Sequence, residues 1–166
     1  MSVNVFSGSR LRHLFFSLVV ICSMLASSLI SILLNFATPD TNRMGDLNLT
    51  VTNIQESGGR IWVGIYLSEA DFLDRDKARL VEAKVDSIGS LTIPITALDY
   101  GNEYALAIFH DEDDDGELNR NFFGLPAEPW AFSGEPKTRL RLPRFEEVKF
   151  CFKEGSEEQV VRLRLW

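Results

Sequence analysis

From Asp46 onward, apolar and polar positions alternate in short runs, the two-residue period of half-buried β-strands. Leu47, Leu49 and Val51 fall on one side of the run Asp46 to Asn53. Arg60 to Leu67 continues with Ile61, Val63 and Ile65 on one face and Trp62 and Tyr66 on the other. With Gly58-Gly59 between them, the two runs predict a hairpin. Further strands are predicted at Ser90 to Ile95, where Pro94 marks an edge or a strand end, at Glu103 to His110 and at Thr138 to Leu142. Glu147 to Phe152 and Gln159 to Leu165 predict a last hairpin around Glu154-Gly155-Ser156. Ser68 to Leu80 breaks the alternation. Ser68 can cap, Glu69 and Asp71 follow, and Phe72, Leu73 and Leu80 anchor, so a short helix or an ordered loop is expected. Six or seven short strands parted by turns predict an all-β fold, an antiparallel two-sheet sandwich of the immunoglobulin or prealbumin type.

A different pattern precedes this domain. Leu14 to Phe36 carries no charge. At about 1.5 Å per residue, a helix of that length spans roughly 30 Å or more, the thickness of a bilayer core. Arg10, Arg12 and His13 stand in front of it, which predicts a cytosolic N-terminus and a domain beyond the membrane, periplasmic or extracellular. The expected order is a basic N-terminus (1–13), a transmembrane or signal helix (14–36), a linker (37–45) and the sandwich (46–166). The apolar run is longer than that of an ordinary signal peptide, and Asn35-Phe36-Ala37 is a poor cleavage site. Both points favour an uncleaved inner-membrane anchor. A cleaved leader and secretion is the alternative.

Charge sharpens the picture. All 24 acidic residues lie at Asp40 or later, and of the 17 basic ones only Arg10 and Arg12 precede the apolar run, so the domain sets 24 acidic residues against 15 basic ones. That balance argues against nucleic acid and anionic lipid as partners of the domain. Cys22 sits in the apolar run and leaves Cys151 alone, so no disulfide forms within the domain.

The acidic residues concentrate at Asp111-Glu112-Asp113-Asp114-Asp115-Gly116-Glu117-Leu118-Asn119. Carboxylates this crowded repel one another unless a cation gathers them. Asp111, Asp113 and Asp115 offer side-chain oxygens, Gly116 permits a sharp turn, Glu117 offers its carbonyl, and Asn119 adds a direct or water-mediated oxygen. Leu118 tucks inward. These offsets match the first nine positions of an EF-hand loop. The match ends at Phe122, where the bidentate glutamate would stand, and a strand rather than a helix leads in. The expectation is a calcium loop grafted onto a sandwich, weaker than an EF-hand unless Asn121, Glu128 or another carboxylate completes the shell.

Nothing else carries chemistry as specific. His110 is the only histidine of the domain, there is no Gly-x-Ser-x-Gly, and phosphate-binding and dinucleotide motifs are absent. The domain therefore reads as a binding or structural module and not an enzyme. The alternative is a small hydrolase, or a carbohydrate- or peptide-binding domain. His110, Asn121, Phe122, Trp130 and Phe132 then form its ligand or partner surface. The aromatic stretch Asn121 to Gly134 either caps the open end of the core or forms that platform, and it is expected to share one end of the sandwich with the acidic loop.

Tyr104-Ala-Leu-Ala-Ile-Phe-His-Asp111, the acidic loop, Asn121-Phe-Phe-Gly-Leu-Pro126, Trp130-Ala-Phe132 and Arg144 to Phe150 together resemble the exported bacterial proteins called domain of unknown function 2141. The resemblance runs from about Asp46 to Leu165. It implies a small exported β-sandwich with no assigned activity, in which Asp111, Asp113, Asp115 and Asn119 correspond to the family's Asp/Asn loop. The chain departs from that pattern in a more acidic loop and a longer leader.

Overall fold

The computed structural model describes residues 43–137 and 141–165. The expected anchor and most of the linker lie outside the described residues, as do Thr138, Arg139 and Leu140 of one predicted strand. No helix among the described residues is long and apolar enough to cross a membrane.

Among the described residues, eight strands form two sheets: β1 (Met44–Ile54), β2 (Arg60–Tyr66), β3 (Arg79–Lys84), β4 (Gly89–Asp99), β5 (Glu103–Asp111), β6 (Trp130–Phe132), β7 (Phe150–Cys151) and β8 (Glu158–Arg162). The first sheet has the order β4-β1-β8 and the second β3-β2-β5-β6. β7 joins β5 at Glu103 and Tyr104, while β6 pairs with Ala107 to Phe109, so the two short strands divide one edge of β5 between them. The alternation works as expected on the inner faces. Leu47, Leu49 and Val51 from β1, Ile93 and Ile95 from β4, Ile61 and Val63 from β2, and Leu106 and Ile108 from β5 are buried in one cluster with Phe152 and Leu163. Both sheets and this core fall within Thr41–Trp166, which is a compact unit by itself. It carries its own folding determinants.

Pairing departs from the expected hairpins. β1 pairs with β4 and β8, and β2 with β3 and β5, so Gly58-Gly59 links two sheets and does not turn a hairpin. Gly59 has φ +63 and lies so close under β5 that a Cβ there would meet the Asp111 carbonyl oxygen at 1.9 Å. Gly58 N–H donates to the Val85 carbonyl (2.9 Å), which ties the link to the end of β3. The last hairpin is also absent, because β7 belongs to the second sheet and β8 pairs parallel with β1, the one exception to antiparallel order among the described residues.

Two local expectations change as well. Phe145–Val148 is a single helical turn (α1) that takes in Glu147 and Val148, the first two residues of the predicted strand Glu147 to Phe152. Its Glu147 carboxylate accepts the Arg144 N–H (2.9 Å) and the Arg141 guanidinium (2.7 and 2.8 Å), which closes the turn. Arg141 and Leu142 are not in a strand. Ser68 to Ala78 is an ordered loop with one 3-10 turn at Arg75–Lys77, and Arg79 and Leu80 already belong to β3. It leads into β3, an edge strand with no fully buried residue, whose inner side is only the half-buried pair Val81 and Ala83. Pro94 does lie on an edge strand, β4.

The second sheet is covered on both faces. Tyr66, Ala105, Phe145 and Val148 form a second buried cluster on its outer side, with Phe72, Ala107 and Phe132 packed against it.

Candidate functional site

β5 ends in the acidic loop, and its alternation decides what each residue there does. His110 points into the core side and Asp111 to the outer side of the second sheet. Asp111 is fully buried. Its Oδ2 accepts the Gly116 N–H (2.8 Å) and the Trp62 Nε1–H (3.0 Å), and its Oδ1 accepts the Asp115 N–H (3.1 Å). Burial pushes this carboxyl up, but the donors from Gly116, Trp62 and Asp115 together outweigh it and hold the pKa below the usual value. The chain turns back over Asp111 through two left-handed residues, Asp114 (φ 62) and Gly116 (φ 82).

Asp113 and Asp115 stay exposed. Asn119 Nδ2–H donates to Asp113 Oδ2 (2.8 Å), and the Glu117 N–H donates to Asp115 Oδ1 (2.8 Å). One oxygen from each of Asp111, Asp113 and Asp115 lies within 4.8 Å of the others. That spacing brings three hard oxygens to one point. Asp114 turns away and pairs with Arg60 (2.6 Å). Glu128, buried, staples the two ends of the loop by accepting the N–H groups of Glu112 (2.9 Å) and Asn119 (3.0 Å). Burial raises its pKa, and the charges of Asp111 and Asp113 add to the rise.

The predicted surface residues separate. His110 is fully buried, its Nε2 is 2.9 Å from the Gly58 carbonyl oxygen, and its N–H donates to the Pro129 carbonyl (2.8 Å). It braces the inter-sheet link and lies on no surface. Asn121 Oδ1 caps the tight turn that follows by accepting the N–H groups of Phe123 and Leu125. Phe122 is 98% and Phe123 83% exposed, so neither caps the core. Trp130 and Phe132 sit on the outer face of the second sheet, not over the open end of the sandwich. The two loops do share one end, tied by the Ala127 N–H to the Asn119 carbonyl (2.8 Å).

Sequence reasoning missed the feature that joins these pieces. Register places Trp62, Phe109 and Trp130 in one cross-strand row on the outer face, and Leu80, Gly64, Ala107 and Phe132 in the next. Gly64 and Ala107 are small, so the second row is a trough between larger side chains. The result is a groove of about 440 Å³. Leu73, Leu142 and Pro143 add to its walls, and Leu118 faces it instead of the main core. The charged side chains among its described lining residues are Arg75, Arg120, Arg141 and Glu117. Arg75 lies over the Trp62 ring at 4.9 Å and donates to the Gly116 carbonyl, which fastens the acidic loop to the groove. The signal was present in β2, whose residues are apolar on both faces.

A family model described as an uncharacterized protein conserved in bacteria, domain of unknown function 2141, matches residues 49–160. The match runs from β1 to β8 and takes in the acidic loop and the outer face of the second sheet. No curated protein and no solved structure matches the chain.

Proposed function

We propose that this chain, which belongs to the uncharacterized bacterial family domain of unknown function 2141, is a non-enzymatic binding or structural module whose 111–119 loop holds calcium. The domain is read as a sandwich of the immunoglobulin or prealbumin type carried beyond the inner membrane by its N-terminal segment. The observation that supports the loop most is the convergence of Asp111, Asp113 and Asp115 within 4.8 Å around the left-handed turn at Gly116. Asp113 and Asp115 face solvent beside the Asp111 carboxylate, so their oxygens can close on a cation with it. Glu117 supplies its carbonyl, and Asn119 a direct or water-bridged oxygen. A divalent charge there relieves the repulsion that now falls on Glu128. Against a hydrolase, the only histidine of the domain is sealed beneath the loop on the Gly58 carbonyl.

Calorimetric titration of calcium into the 41–166 unit tests this reading. One site with a dissociation constant on the order of 10⁻⁵ to 10⁻³ M is expected. Calcium at tenfold its dissociation constant then stabilises the fold by about 1.4 kcal/mol. Asp113→Ala, whose carboxylate has no role in the buried part of the loop, abolishes both. No heat and no rise in melting temperature at millimolar calcium would reduce the loop to a solvated acidic turn.

A further inference from the structure

We infer that the groove on the outer face of the second sheet binds a small apolar carboxylate, taken up as a free molecule. Its volume of about 440 Å³ lies within the range of roughly 300–1,000 Å³ typical of sites for small organic ligands. The hollow is built into the backbone register: Gly64 lies opposite Ala107 at its centre, and no residue of that pair has a side chain longer than a methyl group. Tyr66 already leans over Gly64, where a Cβ would meet its ring at 3.0 Å, so the trough is shaped on that side by a close contact. The row Trp62, Phe109 and Trp130 offers flat aromatic surface along the other side. An apolar body fits these walls. A sugar does not, because its hydroxyls need a fan of mixed donors and acceptors.

Charge selects the other end of the ligand. In a domain where acids outnumber bases by 24 to 15, the groove reverses the balance, with three arginines against Glu117. Arg141 is already matched by Glu147. Arg75 and Arg120 are not so matched: each spends one Nη1–H on a carbonyl, of Gly116 and Gly124 respectively, and a guanidinium has five N–H donors. Both therefore keep donors for a carboxylate, and Arg75 presents its donors at the edge of the aromatic floor, over Trp62. The groove borders the cation loop through Glu117 and Leu118, but Asp111, Asp113 and Asp115 are not among its lining residues.

Dodecanoate, held below its micellar concentration, is the probe, with the 41–166 unit in EDTA so that calcium plays no part. Tryptophan fluorescence is expected to follow a single-site curve. Ala107→Phe fills the trough and weakens binding by at least about tenfold in a variant that still unfolds cooperatively. Arg75→Gln with Arg120→Gln weakens dodecanoate about tenfold and leaves dodecanol unchanged. If Ala107→Phe does not fold, the wild-type spectrum decides: the indole N–H signals of Trp62 and Trp130 and the amides of Gly64 and Ala107 must be the ones that move. The inference is overturned if dodecyltrimethylammonium binds as tightly as dodecanoate. It is equally overturned by unchanged affinity in a folded Ala107→Phe variant, by signals that move elsewhere, or by binding confined to anionic phospholipid vesicles. Repeating the series in calcium then reports how far the loop and the groove are coupled.

Discussion

The outer faces of the two sheets are built on opposite terms. On the first sheet one cross-strand row runs Thr92, Thr50 and Val160, with the two threonine hydroxyls 3.0 Å apart and the row open to solvent. On the second sheet the equivalent rows are aromatic, or small and apolar, and much of that face is covered. β1 shows why the first face can be bare: its outward residues Asn48, Thr50 and Thr52 are polar. β2 carries Trp62 and Tyr66 outward, opposite Ile61, Val63 and Ile65, so it needs a second cover. Phe72, Phe145 and Val148 supply that cover over Tyr66 and Ala105. Over Gly64 and Ala107 the cover stops, and the groove is what remains. The outward face of the first sheet is polar and solvated, whereas that of the second is apolar, sealed in one part and hollow in the other, and it is there that the ligand inferred above would sit.

The contrast can be broken most strongly at Phe145. It is buried on the outer side of the second sheet and packs edge-on against Phe72 at 6.0 Å. Phe145→Ala is expected to destabilise by about 3–5 kcal/mol in urea unfolding, as much as a deletion in the main core. A loss below about 1 kcal/mol would mean that this face needs no cover. Asp111→Ala comes next. It strips the acceptor from the Gly116 and Asp115 N–H groups and from the Trp62 indole, and a loss of about 3 kcal/mol is expected without any calcium present. Asp113→Ala, in the same loop but exposed, should stay within about 1 kcal/mol under those conditions. Equal effects from the two would remove the distinction between a structural and a ligating acid.

Acid probes the cover more gently. The Arg141 guanidinium and the Arg144 N–H hold the Glu147 carboxyl at about 2, below its ordinary 4.5. A depressed folded pKa means that the unfolded chain takes up the proton first. The stabilisation is therefore complete above about 4.5 and lost as pH falls through about 2. The stability gap between the wild type and Glu147→Gln should narrow over that interval, and a gap constant from pH 5 to pH 2 would show that the pair does not hold α1. The smallest effect belongs to the bare face: Thr50→Ala should shift stability by no more than about 0.5 kcal/mol.

The inner faces were legible because burial on one side of a strand leaves a two-residue period, and β1, β4 and β5 all show it. The acidic loop was legible because its spacing is local. Partners were not. Glycine-glycine between two strand-like runs normally signals a hairpin, but Gly59 is needed for its close approach to Asp111, a contact between residues distant in sequence. β3 went unseen because this edge strand only half-buries Val81 and Ala83 between charged neighbours. The groove went unseen because it is made by what Gly64 and Ala107 lack, and an absence of side chain has no period. Trp130 and Phe132 stood out as aromatics, yet only the register with β5 puts them on the outer face.

Trp62 belongs to two places at once. Its indole N–H ends on the Asp111 carboxylate, and its ring forms groove wall beneath Arg75, which itself reaches back to the Gly116 carbonyl. One rigid side chain thus lies between the acidic loop and the hollow. Thermodynamic reciprocity then governs the pair: whatever factor an event at the loop applies to affinity in the groove, filling the groove applies the same factor to the loop.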